Sequence, residues 1–362
     1  MESSSNAVEL HQDVAGSGKT NEIKGSDKVF FSSYAHVNIH ENMVRDEART
    51  QGYRQAIMQC SDLIKGKVVV DIGCGTGILS CFCAKAGARK VYGIDASSII
   101  EQAKQVVREN NLESVVELIN GKAEVVDLPE KADILVSEWM GNFLFFEGML
   151  NSVVVARDRF LKKGGLILPG KCTLFVSPVD CRKLYERRID FWSSTKKTYD
   201  LSMECMIPFA KKCLLGSVRR EDIPSESVIG PAQPLYDLDV NTVTLKGLDL
   251  VKGDFQVTCD RSTSLTGFAT WFDAYFEAPG KDTKVLSTSP FSTRTHWNQA
   301  VLYRDEGIPV KKGDVIQGSM TLTPADLNER HLDIKLSYQI GDGQREEKMY
   351  NTWQTPGPVE MY

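Results

Sequence analysis

Val68-Val-Val-Asp-Ile-Gly73-Cys-Gly75-Thr-Gly77-Ile-Leu-Ser80 is the stretch on which the architecture turns. An apolar run, three alternate glycines and a second apolar run read as a buried strand, a tight turn and a helix from Ile78 to Ala86. Lys90-Val-Tyr-Gly-Ile-Asp95 then reads as a second strand ending in an acid. Together they make the opening βαβ unit of a doubly wound, Rossmann-like α/β domain, in which ligands gather at the carboxyl ends of the strands. The glycine spacing separates two ligands. A dinucleotide fingerprint calls for Gly or Ala at position 78, where the helix packs beneath a pyrophosphate, and Ile78 stands there. With Asp71 just ahead of it, the turn suits S-adenosyl-L-methionine better, because that cofactor carries no phosphate. Gly73, Gly75 and Gly77 would let the backbone approach its amino-acid end and ribose, and Asp95, followed by Ala96, would accept both ribose hydroxyls. An NAD-dependent oxidoreductase on the same sheet is the alternative.

The pattern continues with a helix from Ser98 to Asn110, a strand from Val115 to Ile119 and the loop Gly121-Lys-Ala-Glu124 at the same sheet end. Glu124 is a candidate acceptor for the adenine amino group, or a solvated loop acid. The strand Ala132 to Ser137 leads into Ser137-Glu-Trp-Met-Gly-Asn-Phe-Leu-Phe-Phe-Glu147-Gly-Met-Leu150, which sets two acids among apolar and aromatic residues. Acids placed together out of water repel each other and are costly to desolvate, so a cation must answer them. A guanidinium fits best, since its planar fork of donors can be held from two sides. The plainer alternative has Glu138 closing a strand and Glu147 in the first turn of a helix to Leu161, where negative charge is favoured. That helix is expected to stop at Gly164-Gly165, with Pro169 closing the first domain.

Composition narrows the setting. The chain of 362 residues is 42% apolar and 25% charged, enough for about two domains. Met1 to Lys28 is polar, lacks the basic and apolar segments of a secretory signal, and reads as a disordered tail. Within it, Gly16-Ser-Gly-Lys-Thr20 resembles the end of a phosphate-binding loop, but Asp13 holds the place of the first glycine. No window reaches the roughly 18 apolar residues that span a bilayer, so no membrane role is expected. Nine cysteines scattered without a CxxC pair argue against disulfides and metal, and for a reducing intracellular compartment. Cys74, near a helix N-terminus, is a candidate for oxidation. A net charge of −5 speaks against direct nucleic-acid binding and suits basic protein partners.

Beyond Pro169 the periodicity is that of strands. His331 to Ile340 alternates without a break, and Gly267 to Glu277 nearly so, which predicts an antiparallel barrel or sandwich. Tyr185 to Gly216 differs: Phe191, Trp192, Tyr199, Met203, Met206 and Phe209 fall at helical spacing, on a short helical pair that needs a partner or must pack on its own barrel. Upstream, His40 to Met58 has a broadly helical pattern. His296, one of five histidines, lies in the loop Pro290 to Gln299.

These residues carry a resemblance. From about residue 28 to 350 the chain resembles the type I protein arginine N-methyltransferases, through Val70-Asp-Ile-Gly-Cys-Gly-Thr-Gly, Ser137-Glu-Trp-Met-Gly with Glu147, and Thr295-His-Trp. Phe191-Trp-Ser, Phe209-Ala-Lys-Lys-Cys-Leu-Leu-Gly and Tyr338 to Lys348 are similar to one subgroup, type 6. The resemblance implies a disordered tail over 1–27, an S-adenosyl-L-methionine-binding domain over 28–169, an antiparallel β-barrel substrate domain over 170–353 with a helical dimerisation arm over 185–216, and a tail over 354–362. It implies that Glu138, Glu147, His296 and Asp46 are catalytic, with Asp46 paired to His296. It implies that Tyr34, His40, Met43, Arg49, Gly73, Gly75, Gly77, Asp95, Ala96 and Glu124 hold the cofactor, with Arg49 on its carboxylate, and that Glu138, Met149 and Trp297 meet the substrate. Met43 and Met149 match the pair that leaves room for a second methyl on one nitrogen. Three positions depart from the family pattern: Phe30 replaces the first tyrosine of Tyr-Phe-x-x-Tyr, Asp95 replaces a common Glu, and Asn142 replaces a common tyrosine. The partners implied are arginine-containing proteins, histone tails or Gly-Arg-rich chains, and a second copy in a homodimer. The compartment implied is the nucleus, with the cytoplasm as a further one. A non-catalytic adaptor of the same fold is the remaining alternative.

Overall fold

The computed structural model describes residues 25–352, so the tail readings over 1–24 and 354–362, including Gly16 to Thr20, lie outside the described residues. The tail expected to run on to Lys28 is corrected at its end: a helix opens at Gly25 and buries Asp27. The first sheet has five parallel strands: β1 (Val68–Ile72), β2 (Lys90–Asp95), β3 (Val116–Asn120), β4 (Ala132–Ser137) and β5 (Leu161–Leu168). Their order is β3-β2-β1-β4-β5. The order reverses between β1 and β4, and a crevice opens beyond the carboxyl ends of strands at such a point. β1 is buried along its whole length, which is why it carries no polar residue except Asp71.

Around this sheet lie α1 (Gly25–Ser33), α2 (Val37–Arg45), α3 (Glu47–Gln59), α4 (Ser61–Ile64), α5 (Ile78–Lys85), α6 (Ile100–Glu109) and α7 (Met149–Phe160). Three local readings are corrected. The helix expected over His40 to Met58 is broken at Asp46, whose backbone is extended (φ −68°, ψ 91°) and whose carboxylate accepts the Arg49 amide at 3.0 Å as the cap of α3. The α7 helix begins at Met149, so Glu147 is not in its first turn: Glu147 (φ 75°) and Gly148 (φ 65°) form a left-handed lead-in. Gly164-Gly165 does not stop α7, which ends at Phe160. Leu161 pairs with Ala132 and Leu166 with Ile134, and the residues between loop out, with Gly164 at φ 75°.

A cis Leu168–Pro169 bond leads into the antiparallel part. β6 (Lys171–Val179) is followed by the helices α8 (Arg182–Tyr199) and α9 (Ile207–Leu215). Then come β7 (Arg219–Glu221), β8 (Gln233–Asp239), β9 (Val251–Thr258), β10 (Thr263–Phe276), β11 (Lys284–Ser287), β12 (Gln299–Val310), β13 (Val315–Ala325), β14 (Asn328–Ile340) and β15 (Glu346–Asn351). One sheet runs β7-β12-β10-β6-β8 with β11 also on β10, and the other runs β15-β14-β13-β9. Their facing sides share a core in which fully buried Phe268 meets Phe255 at 5.6 Å and Tyr338 at 4.8 Å between ring centroids. The expected barrel is thus built from two facing antiparallel sheets. α8 is longer than a short helical pair suggests, and it leaves Phe191 52%, Tyr199 70% and Phe209 of α9 60% exposed. That is more aromatic surface than a helix normally presents to water.

Phe268 is the joint between the two sheets. Phe268→Ala should lower unfolding free energy by about 3–5 kcal/mol in denaturant titration. Leu327→Ala, at a side chain 92% exposed, should stay within about 0.5 kcal/mol.

Candidate active site

Glu138 follows β4 directly, so the strand fixes where it emerges. Ser137 is pinned on both sides: its hydroxyl donates to the Ile72 carbonyl at 2.7 Å, and its own carbonyl accepts the Tyr53 hydroxyl at 2.9 Å. The Glu138 side chain is 8% exposed. Its Oε2 accepts Arg49 Nε at 2.9 Å and Arg49 Nη2 at 2.8 Å, while Oε1 accepts the Met140 amide at 3.2 Å. Glu147 reaches the same cleft from the other end of the loop, through a chain that turns by left-handed residues Phe143 (φ 60°), Leu144 (φ 64°) and Glu147 itself. Tyr34 donates its hydroxyl to Glu147 Oε2 at 2.6 Å. Burial, with the neighbouring Glu138 charge adding to it, pushes the Glu147 carboxyl up to about 7 against the Tyr34 hydrogen bond and the Arg330 charge.

The glycine turn forms the opposite wall. Gly73 (φ 67°) and Gly75 (φ 54°) line the cleft. The left-handed backbone at Gly73 favours glycine, and a Cβ there would also push aside Met149, whose Cε would lie 2.1 Å away. Gly77 stands apart: it caps α5 at φ 78° and packs beneath Ala103, outside the cleft lining. Asp95 and Ala96 line the cleft. Asp95 accepts the Gly75 amide at 2.8 Å through Oδ2, and the Ser97 amide and hydroxyl at 2.8 and 2.7 Å through Oδ1. His40 points its Nε2 to the Tyr34 carbonyl at 2.7 Å, and burial lowers its pKa. Met43 lines the cleft with its carbonyl and sulfur against Arg49, at 3.2 and 3.9 Å. Glu124 is exposed at the rim and accepts the Ser152 hydroxyl at 2.6 Å. Arg49, read as a partner for a cofactor carboxylate, is here the cation that balances Glu138.

From the β part comes the third wall. His296 Nδ1 lies 2.7 Å from Asp46 Oδ2, which also accepts the His296 amide at 2.7 Å. Burial alone would raise the Asp46 carboxyl, but His296 and the two backbone amides outweigh it and hold it below the usual range. Asp46 stands behind His296 and does not itself line the cleft. Trp297 is 5% exposed, donates Nε1 to the Met140 carbonyl at 2.8 Å, and rests against His296. It fixes the glutamate loop from below.

Sequence reasoning missed Arg330 and Asp27. Arg330, on β14, donates Nη1 to the Glu147 carbonyl at 2.7 Å, and its own carbonyl accepts the Glu147 amide at 2.7 Å. Its other nitrogens reach Asp27 of α1 at 3.1 and 2.5 Å, and Lys122 closes on the same carboxylate. The guanidinium lies 4.0 Å from the centroid of Phe30. Where the family has a tyrosine, this chain has a ring stacked under a cation. The expectation for Cys74 fails: the thiol is buried, and desolvation lifts it well above the ordinary range, so it is not a thiolate. Among the described residues no cluster of His, Cys, Asp and Glu has the makings of a metal site.

The comparisons follow from this geometry. Residues 170–343 match the family model described as the arginine methyltransferase oligomerization subdomain, and residues 69–165 match a methyltransferase domain. Protein arginine N-methyltransferase 6 of Danio rerio is 44% identical over 326 residues, which is 90% of this chain and 93% of that one. The chain belongs to the protein arginine N-methyltransferases. A probable type 6 member from Arabidopsis thaliana is 41% identical, over 86% of this chain and 79% of that one. The solved Trypanosoma brucei PRMT1 enzyme-prozyme heterotetrameric complex with AdoHcy superposes at a TM-score of 0.80 and 33% identity, covering 88% of this chain and 99% of that one. A structure of PRMT6 with SAH superposes at 0.67 and 29% identity, over 86% and 100%. The chain is accordingly an enzyme of type I, most like type 6, that uses S-adenosyl-L-methionine as methyl donor.

Because Arg330 holds the backbone of Glu147, Arg330→Ala should lower kcat for methyl transfer by about a hundredfold. Arg330→Lys, which lacks the fork, should recover only part of it. An unchanged kcat in steady-state kinetics of the Ala variant would show that Arg330 does not position Glu147.

Proposed function

We propose that Glu138 and Glu147 clamp the guanidinium of a target arginine against a methyl donor bound over the glycine turn. The observation that carries this is the pair itself: two carboxylates at the two ends of one loop, both turned into the cleft that Gly73, Gly75 and Asp95 line. The residues fit the cofactor. Gly73 and Gly75 leave the backbone bare where its amino-acid end would lie, and Asp95 offers carboxylate oxygens beside it. When bound, S-adenosyl-L-methionine supplies an electrophilic methyl on a sulfonium.

A guanidinium has a pKa above about 12, so no side chain can strip it of its proton beforehand. The chain's own residues act by position and charge. Glu138, already oriented by Arg49 and the Met140 amide, holds one side of the fork. Glu147, held by Tyr34, holds the other, draws positive charge onto one nitrogen and leaves its neighbour free to attack in line. Proton loss comes late, to Glu147 or to His296, which Asp46 keeps oriented. Met43 and Met149 border the cleft and match the family pair that leaves room for a second methyl on the same nitrogen, so the products are mono- and asymmetric dimethylarginine. The exposed aromatic faces of α8 and α9 support assembly as a homodimer through that arm. Histone tails or Gly-Arg-rich proteins as substrates, and the nucleus as compartment, rest on the likeness to type 6 members alone.

Glu147→Gln should cut kcat by about a hundred- to a thousandfold while S-adenosyl-L-methionine affinity stays within threefold by calorimetry. Activity within tenfold of wild type would contradict the clamp. Glu147 must be ionised to hold a cation, and its carboxyl titrates at about 7. Hence kcat/KM for an arginine peptide should fall about tenfold per pH unit below that point and level off above it. A flat profile from pH 6 to 8 would argue against Glu147 as the titrating group. Mass spectrometry of the product should show asymmetric dimethylarginine, and symmetric product alone would refute the methionine reading.

A further inference from the structure

Cations line the cleft as well as acids: Arg49 pairs with Glu138, and Arg330 and Lys122 pair with Asp27, which leaves Arg220. Arg220 sits on β7 opposite Ala300 of β12, and it lines the same cleft as Glu138, Glu147 and His296. It is half-buried, and the acids around it are committed elsewhere. Glu221 is bidentate to Arg188 at 3.1 and 3.3 Å. Asp222 is 3.3 Å from Arg294 Nε, which also donates to Asn298 at 3.2 Å. Asp46 serves His296, Glu138 serves Arg49 and Glu147 serves Tyr34. No acid among the described residues pairs with the Arg220 guanidinium. The charge it does feel is that of Arg294, which together with burial lowers its pKa. A partly desolvated guanidinium is costly where no acid among the described residues pairs with it. Its strand pairs with β12, where Ala300 lies four positions after His296, and this puts it on the wall that the β part contributes to the cleft.

We infer that Arg220, with Arg294 beside it, is a specificity site that takes an anionic group on the substrate, a carboxylate or a phosphate flanking the target arginine. The inference rests on the reading of the cleft as an arginine clamp and names the class of substrate that clamp prefers. The clamp binds the target cation, and Arg220 binds its anionic neighbour.

The test compares peptides with a central arginine that differ only in one neighbour, Gln, Glu or phosphoserine, placed at each of the three positions on either side. Wild-type enzyme should favour the Glu or the phosphoserine peptide over the Gln peptide by about tenfold in kcat/KM at one position or more, equal to about 1.4 kcal/mol. The preference should fade with added salt. The Glu and phosphoserine arms separate a carboxylate from a phosphate as the group read. Arg220→Gln should bring the ratio to about one, and Arg220→Lys should keep part of it. Because each ratio is taken within one preparation, partial unfolding of a variant cancels. Ratios near one in wild type, or an unchanged ratio in Arg220→Gln, overturn the inference. So does a tenfold loss of S-adenosyl-L-methionine affinity in Arg220→Gln with the ratio intact, which would assign Arg220 to the cofactor. Failure to methylate every peptide would instead defeat the clamp itself, and the inference with it.

Discussion

Two carboxylates cannot share a buried cleft unless each is given a donor, and here the side-chain donors both come from outside the loop that carries the acids. Arg49, 89 residues before Glu138, and Tyr34, 113 residues before Glu147, supply them. Desolvated without these partners, the pair would cost several kcal/mol per charge or take up protons. The N-terminal helices are therefore part of the active site. Without these N-terminal segments the two acids lose their side-chain donors, although Arg330 and Trp297 still hold the backbone of the loop.

The same dependence ties the two halves of the chain together. Asp46 ends α2, caps α3 and orients His296 from the β part, so one carboxylate sets a helix break and a domain contact at once. Trp297 grips the Met140 carbonyl and Arg330 grips that of Glu147, so the loop is clamped by both sheets of the β part as well as by the helices. Asp27 then links α1 to Arg330. An enzyme that must close over a cofactor and still admit a protein chain gains from this arrangement. Tyr34, Asp46 and Arg49 come from the N-terminal segments and Trp297 and Arg330 from the β part, so the site is complete only where these meet the first sheet.

Much of this was legible in the sequence, and the parts that were not share a cause. The strand–glycine turn–helix and the acid ending β2 are local signals, since burial and φ > 0 demand particular residues at fixed spacing. The strands of the β part showed their alternation for the same reason. What sequence reading got wrong lay at element ends, where side chains decide between helix and turn: the break at Asp46, the lead-in at Glu147 and the bulge at Gly164. What it could not see were contacts between distant segments. Arg330 in an alternating strand looks like a solvated residue, and Asp27 looks like tail. Cys74 was misjudged because a position near a helix N-terminus says nothing of burial. The roles of Asp46 and His296 came from family likeness, since a lone aspartate and a lone histidine 250 residues apart carry no spacing signal.

At the centre stands the claim that a pair of anions facing a methyl donor selects a flat, permanently cationic partner. Lysine brings a compact ammonium that cannot be held from two sides by parallel hydrogen bonds. The direct measurement is methyl transfer by the wild-type enzyme to two peptides identical except for Arg or Lys at the target position, followed by mass spectrometry with S-adenosyl-L-methionine saturating. The account predicts transfer to the arginine peptide and less than about one hundredth of that rate to the lysine peptide. Comparable rates on the two would contradict it.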